Sequence, residues 1–205
     1  MIKDKVAIIT GASSGIGFST ALALSKAGAK VAIGARRVDR LEELAKKISV
    51  DGGKVFYQKL DVTQRSECDD FAKAVLEKWN SIDILVNNAG IWMNDDPYEI
   101  EEEKWDRIMA CNTKSIYMLS TLAARVMKEQ GKGAIVNVSS VADAFPRAVN
   151  NIYSISKSTV SALTRACAVS YAPYVRVNAV APGIVQTDMS PVADSEKQDW
   201  VKRVT

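Results

Sequence analysis

The sequence predicts a doubly wound α/β domain, with one parallel sheet covered by helices on both faces. Short β-branched runs alternate with longer amphipathic stretches, the runs are apolar on both faces, and a glycine-rich turn follows the first of them. Strands of this kind belong in a sheet covered twice, and helical connections between them imply parallel crossovers. A length of 205 residues, 47% hydrophobic and 25% charged, suits one domain with a sizeable core. No low-complexity linker or internal repeat divides residues 1–205.

Val6-Ala7-Ile8-Ile9-Thr10 reads as a buried strand ending at the glycine turn. Residues 16–27 form a helix stopped by Gly28, and Lys30 to Ile33 form the second strand. Asp39 is placed as the N-cap of a helix over 40–48. Gly52-Gly53 introduce a third strand over 54–58, and the turn Asp61-Val62-Thr63 leads into a helix over 65–79. A fourth strand over 82–86 precedes one long helix over 102–129. The fifth strand covers 133–138, a helix covers 151–171, and the sixth strand covers 175–180.

Charge and cysteine usage exclude several classes. The net charge of +3, from 27 basic and 24 acidic side chains, comes with no basic block of a nucleic-acid-binding kind. Glu101-Glu102-Glu103-Lys104 reads as a solvated first helical turn. Cys68, Cys111 and Cys167 have no metal-ligand spacing and fit buried thiols of a reducing compartment. Val6 to Ile9 is too short for a signal peptide, and no segment approaches a membrane-spanning length. The expectation is a soluble cytoplasmic protein without a metal, a membrane or a nucleic-acid partner.

The chain has no histidine, so acid–base chemistry falls to a carboxylate, cysteine, lysine or tyrosine. Tyr153 and Lys157, four residues apart, share one helical face, and Ser140 stands thirteen residues before the tyrosine. Alone, such a pair occurs by chance on many helix surfaces. The turn Thr10-Gly11-Ala12-Ser13-Ser14-Gly15-Ile16-Gly17 adds a second signal. Its glycines allow close backbone approach to a pyrophosphate, whose charge meets the helix N-terminus. No Gly-Lys-Ser/Thr follows, so it is not a P-loop.

This turn resembles the TGxxxGxG cofactor loop of the short-chain dehydrogenase/reductase family, classical type, and further motifs follow in that family's order. They are Asp61 with Val62, Asn87-Asn88-Ala89-Gly90, Asn112 after Trp105 to Cys111, Ser140, the Tyr153–Lys157 pair, and Pro182-Gly183 with Val185 and Thr187. The resemblance spans residues 5 to about 190. It implies a nicotinamide dinucleotide held by Gly11, Ser13, Ser14, Gly15, Ile16, Gly17, Arg36, Arg37, Asp61, Val62, Asn88, Ala89 and Gly90. Tyr153, Lys157, Pro182, Gly183, Val185 and Thr187 complete the implied cofactor site. Tyr153 would be the acid/base, with Lys157 lowering its pKa and holding the ribose. Ser140 would hold the substrate oxygen, and Asn112 would anchor a water linking Lys157 to solvent. Ser139 is the rival for the serine role. Ser140 is preferred for its interval to Tyr153 and because neighbours on a strand face opposite ways.

Cofactor choice follows from charge. Ile33-Gly34-Ala35-Arg36-Arg37 carries no carboxylate before Asp39, whereas a 2′-hydroxyl is normally met by an acid ending the second strand. Arginines there suit a 2′-phosphate, with Arg36 the better candidate and Ser13 beside it. NADP(H) is therefore expected over NAD(H). The resemblance implies an oxidoreductase interconverting a small-molecule carbonyl and a secondary alcohol. A 3-oxoacyl-carrier-protein reductase is a narrower alternative, suggested by the loop from Pro182 to Met189. A non-catalytic dinucleotide-binding protein is the alternative of another class.

The family commonly pairs its helices into dimers or tetramers. A homodimer or homotetramer is expected through Leu119, Leu122, Val126, Val160, Leu163 and Val169. Two departures stand out. The resemblance implies a seventh parallel strand, absent from these 205 residues, which stop at Thr205 within an amphipathic segment, Pro191 to Val204. The sixth strand is then expected as an apolar edge, with an incomplete sequence expected over a covering partner or a truncated form. Val141-Ala142-Asp143 lacks the glycine often found after the serine, and Phe145, Pro146 and Arg147 are unusual on the substrate side.

Overall fold

The computed structural model describes residues 2–99, 101–146 and 150–188; Arg147, Met189 and the segment 191–204 lie outside them. The chain runs β1 (Val6–Thr10), α1 (Gly15–Lys26), β2 (Lys30–Ala35), α2 (Val38–Val50), β3 (Lys54–Lys59), α3 (Arg65–Trp79) and β4 (Ile84–Asn87). It continues through α4 (Glu102–Met109), a π-helical segment (Ala110–Lys114), α5 (Ser115–Glu129), β5 (Gly133–Val138), α6 (Asn151–Tyr171) and β6 (Val175–Val180). The six strands form one parallel sheet in the order β3-β2-β1-β4-β5-β6. Chain order reverses between β1 and β4, which makes their carboxyl ends the crevice where such folds bind ligands.

Alternation along the strands builds two cores. Val6 and Ile8 face one layer, with Phe71 of α3, Leu119 and Met127 of α5 and Cys167 of α6. Ala7 and Ile9 face the other, with Ala21 of α1 and Leu41, Leu44 and Ile48 of α2. Each fully buried Leu, Ile or Phe contributes about 1.5–3 kcal/mol relative to its exposed state.

Several boundaries differ from the sequence expectation, for local reasons. α2 begins at Val38, so Asp39 lies in the first turn rather than at the N-cap, where its charge still favours the positive helix end. Ile82 and Asp83 precede β4. The Asp83 carboxylate instead accepts from Lys5 Nζ at 2.7 Å, Val6 N at 2.9 Å and Ser81 Oγ at 3.0 Å. The expected single helix over 102–129 is interrupted at Ala110–Lys114, where Ser115 N donates to Ala110 O. A π-helical turn of this kind commonly marks a functional position.

The apolar residues expected at a subunit contact mostly face inward. Leu119 and Val160 are buried, Leu122, Val126 and Leu163 pack against the core, and Val169 alone of the six is largely exposed. Among the described residues, no helix is long and apolar enough to cross a membrane, and no group of His, Cys, Asp or Glu could hold a metal ion.

Candidate active site

The glycine turn leaves β1 at Thr10 and enters α1 at Gly15. Gly11 has φ +65°, a left-handed backbone that favours glycine, and a Cβ there would lie 2.8 Å from Ala89 Cα. Gly17 is equally constrained, since a Cβ would fall on Asn88 Nδ2 and on Gly11 O at 2.6 Å. The turn is bolted to the Asn87-Asn88-Ala89-Gly90 loop. Asn88 Nδ2 donates to Thr10 O at 3.0 Å and Gly11 O at 3.1 Å. Thr10 Oγ1 accepts from Asn88 N and Ala89 N, both at 3.1 Å. Ser13 and Ser14 lie in the same turn, Ser14 as the N-cap of α1, and Ile16 is in its first turn. This glycine-lined turn fits the phosphates of a dinucleotide.

The two arginines separate. Arg37, not Arg36, meets Ser13: Nε and Nη2 donate to Ser13 Oγ at 3.2 and 3.1 Å, and Nη2 donates to Ser14 Oγ at 2.7 Å. Its Nη1 forms an exposed ion pair with Asp188 at 3.0 Å. Arg36 lies where its charge reaches Asp61. Burial by itself raises the Asp61 pKa, but hydrogen bonds from Thr63 and the charges of Arg36 and Lys59 outweigh it and hold the carboxyl below the usual range. Asp61 Oδ1 accepts from Thr63 N at 3.0 Å and Thr63 Oγ1 at 2.8 Å, and Val62 is buried beside it.

Across the crevice, β5 delivers the two serines to opposite sides. Ser140 hydrogen-bonds Tyr153 and accepts from Ala142 N at 3.1 Å. Ser139 is buried and donates to Lys157 O at 3.0 Å. Lys157 is 4% exposed and its Nζ donates to Val138 O at 2.8 Å, 5.6 Å from the Tyr153 ring centroid. Gly90 sits beside it, since a Cβ there would be 3.6 Å from Lys157 Nζ and 3.4 Å from Asn112 Oδ1.

Burial acts on both members of the Tyr153–Lys157 pair, and the Asn112 amide is engaged within the protein. Burial lowers the Lys157 pKa to about 8, and burial raises that of Tyr153, only partly offset by the Ser140 hydrogen bond. Thus desolvation, rather than the lysine charge, sets the tyrosine in this state. The Asn112 side chain, in the π-helical segment, is not open to water. Its Oδ1 accepts from Ile91 N at 2.8 Å, and its Nδ2 donates to Ile91 O at 2.9 Å and Ser156 Oγ at 3.0 Å. Cysteine chemistry recedes too, because burial pushes the thiols of Cys68, Cys111 and Cys167 up, that of Cys68 to about 11.

The loop after β6 touches both the segment that follows Ser140 and the glycine turn. Pro182 O accepts from Val141 N at 3.0 Å, Gly183 stands in open space, and Val185 is 41% exposed. Thr187 packs on the glycine turn, its Cγ2 2.8 Å from where a Gly15 Cβ would stand. A groove of about 940 Å³ lies elsewhere, along the outer face of α6 beside Asp95 and Trp105. Ser140, Tyr153 and Lys157 do not line it. The chemistry of those three side chains marks the site.

The profile of the short chain dehydrogenase family matches residues 5–198. The chain belongs to that family. An uncharacterised oxidoreductase of Thermotoga maritima is 40% identical over 207 residues, covering 99% of this chain and 82% of that one. The 3-oxoacyl-[acyl-carrier-protein] reductase FabG of the same organism is 37% identical over 190 residues, covering 92% of this chain and 77% of the relative. The crystal structure of a tryptophan variant of actinorhodin polyketide ketoreductase with NADPH superposes with a TM-score of 0.91 at 29% identity, covering 99% and 83% of the two chains.

Two residues of this short-chain dehydrogenase had no assigned role in the sequence. Thr10 opens the TGxxxGxG turn, and its hydroxyl proves to bind the Asn88 and Ala89 amides. Asp95 gave no signal. It lies in the loop after β4, and its carboxylate accepts from Asn151 N and Ile152 N at the start of α6.

Proposed function

We propose that this oxidoreductase interconverts a ketone and a secondary alcohol with NADP(H), using Tyr153 as acid/base. The observation that carries the reading is the convergence of Ser140, Tyr153 and Lys157 beside Gly90, in the loop that Asn88 bonds to the glycine turn. When bound, a nicotinamide cofactor supplies the hydride. Gly11, Gly15, Ile16 and Gly17 would hold its pyrophosphate, Asn88, Ala89 and Gly90 the middle of the molecule, and Lys157 the nicotinamide ribose. Lys157 Nζ has three donors, one engaged by Val138 O, so a ribose contact does not require breaking that bond.

Ser140 Oγ holds the substrate oxygen. Tyr153 delivers its proton to that oxygen in reduction and removes one in oxidation. Burial keeps the phenol protonated, so the resting enzyme is set for carbonyl reduction. With the Asn112 amide engaged, a water relaying protons to Lys157 would be held by the main chain of the π-helical segment. Arg37, with Ser13 and Ser14, supports the NADP(H) preference, since a guanidinium and two hydroxyls suit a 2′-phosphate. The exposed Asp188 partner of Arg37 would yield to it.

Two relatives are named for reduction of a keto group, one of a 3-oxoacyl chain, which makes a 3-oxoacyl thioester the first ketone to try. The test is NADPH oxidation with a panel of ketones, 3-oxoacyl thioesters included. Turnover with NADPH well above that with NADH is expected. Tight NADPH binding without turnover of any ketone would favour a non-catalytic dinucleotide-binding protein instead.

A further inference from the structure

We infer that Asp95 is a positioning residue that sets the Tyr153 hydroxyl by clamping the first turn of α6. Its oxygens accept from two consecutive backbone donors, Oδ1 from Asn151 N at 2.9 Å and Oδ2 from Ile152 N at 2.8 Å. These are the first two residues of the helix, whose N–H groups have no partner within it, and Tyr153 comes next. The helix does not cap itself. Asn150 makes no side-chain capping bond, and its Oδ1 accepts from Ser154 Oγ at 3.3 Å instead. The cap arrives from 56 residues upstream, and as a carboxylate it also suits the positive end of the helix.

The loop that carries Asp95 is tied on both sides. Asp96 Oδ1 accepts from Tyr98 N at 2.9 Å, and Lys104 Nζ donates to Asn94 O at 3.1 Å. The next turn of α6 has separate anchors, Asn112 on Ser156 and Val138 O on Lys157 Nζ. Loss of Asp95 therefore loosens Tyr153 while Lys157 stays in place. A proton donor misplaced by about 1 Å costs on the order of a hundred-fold in rate. The two anchors of the pair thus separate turnover from cofactor affinity.

This clamp rests on Tyr153 as the acid/base. The test compares the full chain with Asp95→Ala and Asp95→Asn. It measures kcat with a ketone the wild type reduces, the NADPH Kd by fluorescence titration, and amide hydrogen exchange across 151–157. For Asp95→Ala, kcat falls roughly ten- to hundred-fold, the Kd stays within about two-fold, and exchange accelerates at 151–153 more than at 157. Asp95→Asn, which keeps one acceptor oxygen, lies between. An unchanged kcat, or kcat and Kd worsening together, overturns the clamp. If Asp95→Ala does not fold, Asp95→Asn is judged by the same criteria. Tyr153→Phe separates the two ideas. A turnover defect there beside a silent Asp95→Ala sinks the clamp alone, and full turnover in Tyr153→Phe sinks the acid–base reading.

Discussion

The glycine turn and the start of α6 face each other across the crevice and are built on opposite principles. The turn gets its shape from missing side chains: Gly11 and Gly17 let backbone and Asn88 approach within distances no Cβ would tolerate. The tyrosine helix gets its position from added side chains, Asp95, Asn112 and Lys157, each bonded to backbone or hydroxyl groups on another element. A turn of the first kind fails when something is inserted. A helix of the second kind fails when something is removed. The first failure should cost cofactor binding, and the second turnover.

The largest effect belongs to the turn. Gly17→Val forces a branched side chain onto Asn88 and Gly11, and NADPH affinity should fall roughly a hundred-fold, at the severe end of overpacking. Calorimetric titration checks this, and an affinity within about three-fold of wild type would mean the turn adapts. Arg37→Ala should be narrower. Losing a charge-assisted contact weakens NADPH by roughly ten- to thirty-fold and leaves NADH unchanged. Equal losses for both cofactors would show that Arg37 braces Ser13 and Ser14 rather than reading a phosphate.

The smallest effect separates stability from function on the helix side. The Lys157 pKa is lowered from 10.5 to about 8 by burial. Between those values the unfolded chain holds a proton that the native state has released, so stability rises with pH across that window. Below it, the native state carries a constant penalty for the buried charge. Lys157→Met removes the penalty and should melt about 2–8 °C higher at neutral pH, while losing turnover. The gap should close as pH rises through 8 towards 10.5. A variant that melts lower at neutral pH would show that the Val138 bond outweighs desolvation.

The contrast also explains what could be read in the sequence. The strand–helix alternation, the turn and the Tyr153–Lys157 spacing are local patterns, and the described sheet has the expected architecture. The π-helical break at Ala110–Lys114 was hidden because residues 102–129 keep helical periodicity through it. Arg36 and Arg37 are adjacent, and only the entry of the chain into α2 decides which of them meets Ser13. Asp95 acts across 56 residues, a juxtaposition no local pattern encodes. Desolvation was equally invisible. A pairing rule suggested that Lys157 tunes Tyr153, while the depth of the site makes burial the larger influence on both.

The central claim is that the Tyr153 hydroxyl exchanges the proton with the substrate oxygen. Steady-state ketone reduction by Tyr153→Phe, with NADPH affinity measured on the same preparation, addresses it most directly. Turnover should fall by roughly a hundred- to ten-thousand-fold while the NADPH Kd stays within about two-fold of wild type. Near wild-type turnover with every ketone the native enzyme reduces would contradict the account.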